Sequence, residues 1–428
     1  MRRSGIAILF TVAVLLAACG NSESDGAGSA EEAGGAVPGV SDDKIKVGGV
    51  ASSTNPLGGR YGDAFAGAKA YLDIVNEGGG VDGRTIELVA EKDDSAAGSR
   101  NASQVRSLVQ EDGVFAVLPV AVLSFAGASF LADEGVPTFG WNINTEWEGP
   151  PNLFGEKGSY LCFDCPAPFL PYVAQQAGRT KVGIIAYTAA QSQDCAAGQK
   201  ASYEEYAEAT GVELVFEDTS LGFGFAPGAL DADLRAMQER GVQFLSTCID
   251  GAGSARLGEA IQRAGLDIVQ YLPNGYDQDL IDEFGGVLDG SYVSVFTVPF
   301  QAEQPPPSLE RYLTAMEEAG TAVSENSLAG WINADLFVTG LRAVADSGDE
   351  LTRERLIEAV NALEDYDAEG LLAGIDWRIA HEEQSDNICA GFVQVEGGEF
   401  VPALGEPGKP FICFDADEPD FDNPEIRA

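Results

Sequence analysis

The sequence predicts an α/β protein, with two doubly wound parallel-sheet lobes forming a hinged clamshell. Three observations predict it. Apolar runs of strand length alternate with helix-period stretches from Ile45 to Val298. This is the β-α-β rhythm of a parallel sheet, whose binding crevice lies at the strand carboxyl ends. The rhythm runs twice, interrupted by Gly, Pro and a cysteine pair over residues 146–170. A chain of 428 residues, 45% hydrophobic and 9% aromatic, is too long for one ordinary core, so two domains are expected.

At the N-terminus, Arg2 and Arg3 precede an apolar run, Ile6 to Leu16. The run is too short to span a bilayer and reads as a signal peptide over residues 1–18. It ends on Leu16-Ala17-Ala18-Cys19, which resembles a bacterial lipobox. That resemblance implies a lipid on Cys19 as the mature N-terminus; the alternative is an ordinary signal peptide with an incidental cysteine. Residues 19–43 are rich in Gly, Ala, Ser and Glu, lack an apolar face, and read as a flexible linker. No other apolar stretch reaches about eighteen residues. The lipid on Cys19 is therefore expected to be the sole membrane anchor of an extracytoplasmic protein.

Ile45 to Val50 reads as the first strand, ended by the polar turn Ser52-Ser53-Thr54-Asn55-Pro56. Phe65, Ala68, Leu72 and Val75 then share one helical face. A Gly cluster stops that helix, and Thr85 to Val89 is the second strand, running into Asp93-Asp94. A helix over 99–111 turns Val105, Leu108 and Val109 inward, and the continuous apolar run 114–120 suits a buried parallel strand. A helix ending at Glu134 and a strand over 137–141 complete the first series. Beyond the interruption, strands are expected at 181–187, 212–216, 244–248 and 268–272. Helices are expected at 197–210, 229–240 and 252–264. A strand over 291–298 crosses back, ended by Pro305-Pro306-Pro307. Helices follow at 308–319, 329–347 and 352–362, then a hairpin over 391–401 with a Gly397-Gly398 turn. The acidic tail 415–428 is expected to be loosely held. This places lobe 1 at 44–165 with about 299–372, and lobe 2 at 166–298 with about 373–414.

The opening unit carries a resemblance. Asn55-Pro56-Leu57-Gly58, Tyr61-Gly62, Asn76, Gly79-Gly80-Val81-Asp82-Gly83 and Asp93-Asp94 occur in an order and spacing similar to the start of type I periplasmic binding proteins. The branch is the leucine/isoleucine/valine-binding-protein-like one of ABC importers, and the resemblance extends more loosely from about residue 44 to about 402. It implies a clamshell that takes a small polar or amphipathic ligand, such as a branched-chain amino acid, amide or carboxylate. It also implies delivery to an ABC permease in the membrane, with the ATPase on another chain. A ligand-sensing receptor coupled to a membrane signalling partner is the alternative. A surface-anchored hydrolase is a third class, which turnover abolished by Ser124→Ala would support.

The expected site is assembled from strand ends, where backbone N–H groups at helix N-termini can hold an anion. Resemblance carries ligand contact onto Tyr61, Ser124 and the Asn142/Asn144 turn of lobe 1, where Trp141 suits an apolar ligand body. In lobe 2 the corresponding positions hold Ser192, Asp250 and Asn274, with Tyr276 and Asp277 nearby. Here the chain departs from the leucine-type pattern, which tends to place tyrosines in two turns and an acidic residue near Asn274. Asp250 or Asp277 could still hold an ammonium. Trp331, inside an expected helix, reads as core.

With Cys19 set aside, Cys162, Cys165, Cys195, Cys248, Cys389 and Cys413 remain, an even set that favours disulfides in an exported chain. Fifteen pairings are possible. The expected one is Cys162–Cys165, Cys195–Cys248 and Cys389–Cys413, the last closing a loop of roughly 25 residues worth ~3 kcal/mol in the chain-entropy model. Zinc is not expected, because Cys162-Phe163-Asp164-Cys165 lacks a second pair and His381 is the single histidine, read as exposed.

The formal net charge of −43 excludes nucleic acid as a partner, since phosphate contacts need clustered Lys and Arg. Gly78 to Gly83 matches G-x-G-x-x-G but follows a helix and precedes a strand, the reverse of a dinucleotide site. No G-x-x-x-x-G-K-S/T or G-x-S-x-G motif occurs, so neither a P-loop nor a hydrolase elbow is expected. The chain is expected to be a monomer without cofactor or metal, and not an enzyme.

Overall fold

The computed structural model describes residues 37–428, apart from Asn274 and Asp386 and the side chains of Pro227 and Asn387. The expected signal peptide and the expected lipid site at Cys19 lie outside the described residues.

The first lobe is a run of β-α-β units. Its elements are β1 (Lys44–Ala51), α1 (Asp63–Glu77), β2 (Thr85–Asp93), α2 (Gly98–Gln110), β3 (Ala116–Ala121), α3 (Ala128–Asp133), β4 (Thr138–Gly140) and β5 (Leu153–Gly155). All pairings are parallel, in the order β2-β1-β3-β4-β5. β3 is buried at every residue, as its unbroken apolar run requires of a strand covered on both faces.

The second lobe opens with α4 (Phe169–Gln176), β6 (Lys181–Tyr187), α5 (Ala190–Glu205), α6 (Ala207–Thr210) and β7 (Glu213–Leu221). It continues with α7 (Asp231–Arg240), β8 (Phe244–Cys248), α8 (Gly251–Ala264), β9 (Val269–Leu272), α9 (Gln278–Leu288) and β10 (Tyr292–Val295). The chain then returns to lobe 1 for α10 (Pro307–Ala319), α11 (Glu325–Ser347) and α12 (Arg353–Asn361), where α11 packs along α1 and over β3 and β4. It ends in β11 (Asn387–Glu396), β12 (Glu399–Ala403), β13 (Phe411–Asp415) and β14 (Glu425–Arg427). The second sheet runs β14-β13-β11-β10-β9-β8-β6-β7, parallel from β10 to β7 and antiparallel from β10 to β14, with β12 paired to β11.

Three segments cross between the lobes: 156–168, 296–306 and 362–386. They are tied to one another. Thr297 bridges Leu372, and the amides of Ser159 and Tyr160 donate to the Ala380 carbonyl at 2.7 and 2.8 Å.

Three sequence expectations need correction. The acidic tail is anchored, because β14 pairs with β13 and Phe421 buries its ring against Phe414 and Tyr206. His381 is 7% exposed, packed between Phe154 and Trp377, with Nε2 2.8 Å from the Asn361 side-chain oxygen. Its polar neighbours reach the surface while the ring turns inward. α5 begins at Ala190 rather than 197, since its low-contrast surface of Gln, Ser and Ala hides the helical period.

The structure joins Cys162 to Cys165, Cys195 to Cys248 and Cys389 to Cys413, at Cα separations of 5.3, 6.0 and 4.1 Å. Among the described residues, no helix is long and apolar enough to cross a membrane.

Candidate ligand-binding cleft

The lobe 1 wall is built on the turn after β1. Ser52 is fully buried; its hydroxyl donates to Asp94 at 2.8 Å and accepts from the Leu123 amide at 3.0 Å. This fixes the β1 and β3 turns together. Asn55 braces the rest, donating to the Ser52 and Gly59 carbonyls at 3.0 and 2.7 Å. The braced turn presents Arg60 and Tyr61. Tyr61 lies flat over Gly59, where a Cβ would come within 2.6 Å of the ring. It stacks on Trp141, from the turn after β4, with centroids 5.2 Å apart and planes at 28°.

Ser124 is half-buried over the start of α2, and its hydroxyl has no hydrogen-bond partner among the described residues. Asn142 and Asn144 are engaged in the frame. Asn142 is fully buried and donates to the Gly158 carbonyl; Asn144 donates to the Val122 carbonyl at 3.3 Å.

The lobe 2 wall presents Asp250, Tyr187 and Phe223. Asp250 caps α8, accepting from the Gly253 amide, and takes a 3.2 Å hydrogen bond from the Tyr187 hydroxyl. Phe223, 56% exposed between two glycines, meets the Tyr187 ring edge-on at 5.5 Å. Burial, and then the negative charge of Asp250, push the Tyr61 phenol up to about 12. Asp250 of lobe 2 therefore acts on Tyr61 of lobe 1 across the gap between them. Ser192 is half-buried within the first turn of α5.

Tyr276 and Asp277 follow β9. Tyr276 is buried, donates to Gln301 at 2.7 Å, accepts from the Phe300 amide at 2.6 Å, and stacks on Phe300 at 4.9 Å. Its polar atom is thus committed to the second crossing. Asp277 caps α9 through the Asp279 amide at 2.9 Å. Asn274 lies outside the described residues.

Sequence reasoning missed the floor and the rim. At the floor, Glu156 follows β5, and Glu325 opens α11. Burial drives the Glu325 carboxyl up to about 8; Lys157 pulls it down and Asp277 pushes it further up. Glu156 is 1% exposed, neither carboxylate oxygen is hydrogen-bonded among the described residues, and burial likewise raises it well above the usual carboxylate range. At the rim, Arg60 pairs with Asp63 at 2.9 Å and reaches Asp279 of lobe 2 at 2.5 Å. Phe223 between Gly222 and Gly224 was the sequence signal for an exposed aromatic tip, and Arg60 next to Tyr61 the signal for a rim cation.

A model of the periplasmic binding protein family matches residues 44–399. No curated protein matches the chain. Among solved structures, a fatty acid ABC transporter substrate-binding protein from Thermomonospora curvata is 19% identical, with a TM-score of 0.67, over 89% of this chain and 95% of that one. A branched chain amino acid ABC transporter protein from Thermus thermophilus with bound valine is 17% identical, at 0.68, over 85% and 96%. An ABC transporter solute-binding protein from R. palustris in complex with benzoate is 18% identical, at 0.64, over 84% and 95%. At these identities the likeness is one of fold.

Proposed function

The chain belongs to the periplasmic binding protein family, whose members bind solutes and are not enzymes, and from that premise we propose that it is the extracytoplasmic receptor of an ABC importer. It captures a small polar or amphipathic ligand between its lobes and hands it to a membrane permease. One observation carries this reading: the Tyr61–Trp141 stack faces Asp250 across the gap, while the Arg60–Asp279 pair joins the two lobes at its rim.

The ligand's class follows from the groups left uncommitted. The aromatic stack supports an apolar body, Ser124 offers a hydroxyl without a partner among the described residues, and Asp250 and Asp277, each capping a helix through one carboxylate oxygen, still offer negative charge for an ammonium or an amide N–H. Asn142, Asn144 and Tyr276 shape the walls: the Asn142 and Asn144 side-chain nitrogens are spent on backbone carbonyls and the Tyr276 hydroxyl on Gln301, while the buried Asn142 side-chain oxygen has no partner among the described residues. Two of the similar structures hold valine and benzoate, so this chain's own groups must decide between an amino acid, an amide and a carboxylate.

The reading includes a signal peptide over 1–18, a lipid on Cys19 and a tether leading to the folded unit. Three disulfides suit that oxidising location, and the chain acts as a monomer. The division into lobes at 44–165 with about 299–372, and 166–298 with about 373–414, is supported by α11 packing on α1; the pairing of β14 with β13 extends lobe 2 through the tail.

A thermal-shift panel of amino acids, amides and short carboxylates tests the reading. A ligand at 100 times its Kd adds about 2.7 kcal/mol and raises the midpoint by a few degrees. Asp250→Asn should abolish the shift from an α-amino acid but leave that from a plain carboxylate. A panel without any shift, on folded protein, would count against the importer reading.

A further inference from the structure

We propose that the cleft selects an organic cation, an ammonium group on an apolar body without a carboxylate. This rests on the solute-receptor reading above and narrows its ligand.

The first observation concerns the helix N-termini. Free backbone N–H groups and the positive end of the helix dipole ordinarily receive a ligand carboxylate there. In this cleft four helix N-termini already carry a carboxylate of the chain itself: Asp63 in the first turn of α1, Glu325 in the first turn of α11, Asp250 as the cap of α8 and Asp277 as the cap of α9. These ends lie close together. The Ser324 hydroxyl joins α11 to Asp63 at 3.0 Å, Arg60 bridges Asp63 to Asp279 of α9, and the Asp277 charge acts on Glu325. An added carboxylate meets fixed negative charge at each of them. The neighbouring cations do not offset this. Arg60 is spent on Asp63 and Asp279. Lys157 is exposed, with its Nζ 5.3 Å from the centre of the Phe296 ring, and is one ammonium set against Glu156, Glu325 and Asp277.

The second observation is independent of the helix ends. Glu156 is 1% exposed, and neither of its carboxylate oxygens has a donor among the described residues. Asn142 packs against Gly155, where a Cβ would come 2.6 Å from its Cγ, and its Oδ1 is buried without a donor as well. Buried acceptors left without a donor are costly. An ammonium brings up to three N–H donors and the missing positive charge in one group. The Tyr61–Trp141 stack completes the match, because an aromatic face attracts a cation and also covers an apolar body. Ser124 and the N-terminus of α5, which has no acid in its first turn, are the places left for an anionic head, so a direct comparison of head groups decides the matter.

The test titrates two matched sets into the full chain by calorimetry. One is isopentylamine, leucine and isocaproate; the other is phenethylamine, phenylalanine and hydrocinnamate. Within a set the body is shared and only the charged groups differ. In at least one set the amine should bind at least tenfold more tightly than the amino acid, with the carboxylate weakest. Asp250→Asn and Glu325→Gln should each weaken that amine at least fivefold. An amine that binds no more tightly than its amino acid or carboxylate in either set overturns the proposal and leaves the receptor reading standing. Amine binding unchanged in both acidic variants overturns it too. Should none of the compounds bind, the proposal falls, and the amide and carboxylate panel above judges the receptor reading separately. Circular dichroism reports whether each variant folds; if one does not, the other carries the test, and the comparison of head groups on wild type needs neither.

Discussion

Burial raises the carboxyls of Glu156 and Glu325 well above the usual carboxylate range, so at pH values between that range and about 8 the folded protein favours their protonated forms and the unfolded chain their ionised ones. Between the ordinary carboxylate range and about 8, the native state is therefore the better proton binder. Their contribution to stability is complete below that window and lost as pH rises through it. His381 runs the other way: burial lowers its pKa from 6.5 to about 4, so its contribution is present above 6.5 and lost as pH falls toward 4. Above pH 6.5 the carboxyls act alone. The melting temperature of wild type should fall between pH 6.5 and 8, by an amount on the order of a few degrees. Glu156→Gln, which mimics the protonated acid, should flatten that fall when melts are compared by calorimetry at both pH values. An unchanged slope would mean that Glu156 ionises normally. The same scale shows what the sequence could and could not disclose. The β-α-β rhythm marked the turns after β1, β3 and β8, where Tyr61, Ser124 and Asp250 stand, and the resemblance supplied the expectation of ligand contact at Tyr61 and Ser124. Asn142 and Tyr276 were legible as positions only. Whether a polar atom faces a ligand or the backbone depends on loop geometry, and here the Gly158 carbonyl claims the Asn142 side-chain nitrogen and the Phe300 amide the Tyr276 hydroxyl. Glu325 went unread because its partners, Lys157 and Asp277, are distant in sequence.

At the scale of elements, α1 and α11 carry the packing that sets the cleft. Gly67 lies against Ser327 and Gly330 against Ala64, so closely that a Cβ would come 1.7 and 1.9 Å from backbone oxygens. The two glycines let the helix backbones touch and align their N-termini at the cleft, where the Ser324 hydroxyl donates to Asp63 at 3.0 Å. Backbone cannot yield as a flexible side chain does. Gly67→Ala should therefore destabilise by ~2 kcal/mol or more, despite the higher helix propensity of Ala. Urea denaturation measures this, and a stabilised variant would show that the helices separate without cost. Elements were read well where period and length agreed, as in β6 and β8. α4 and α9 were missed because each carries a breaker. Pro171 stands in the first turn of α4, where its absent N–H costs little. Gly285 lies mid-helix in α9, where a Cβ would come 2.9 Å from the Gly398 Cα of the β11–β12 turn. Tertiary contact explains that glycine, and no local pattern shows it.

For the whole molecule, the quantity that matters is the balance between open and closed lobes. A net charge of −43 makes approach of two acidic lobes unfavourable. The Arg60–Asp279 pair opposes that repulsion at the rim. Its side chains are 33% and 72% exposed, so it is worth ~0.2–1 kcal/mol, screened by salt. Asp279→Asn is the cleaner probe, because Arg60 also serves Asp63. The backbone amide of residue 279 still donates to Asp277, so the α9 cap survives the change. Loss of ~0.2–1 kcal/mol from the closed form should weaken the apparent affinity for a cleft ligand by up to about fivefold. The weakening should appear mainly as faster release, because the bridge forms only after the lobes meet. It should be largest at low ionic strength and shrink toward wild type as salt screens the pair. Surface plasmon resonance at two salt concentrations reads both features. Equal release rates at low salt would show that the lobes close without this bridge, leaving the ligand's own contacts to Tyr61 and Asp250 to hold them together.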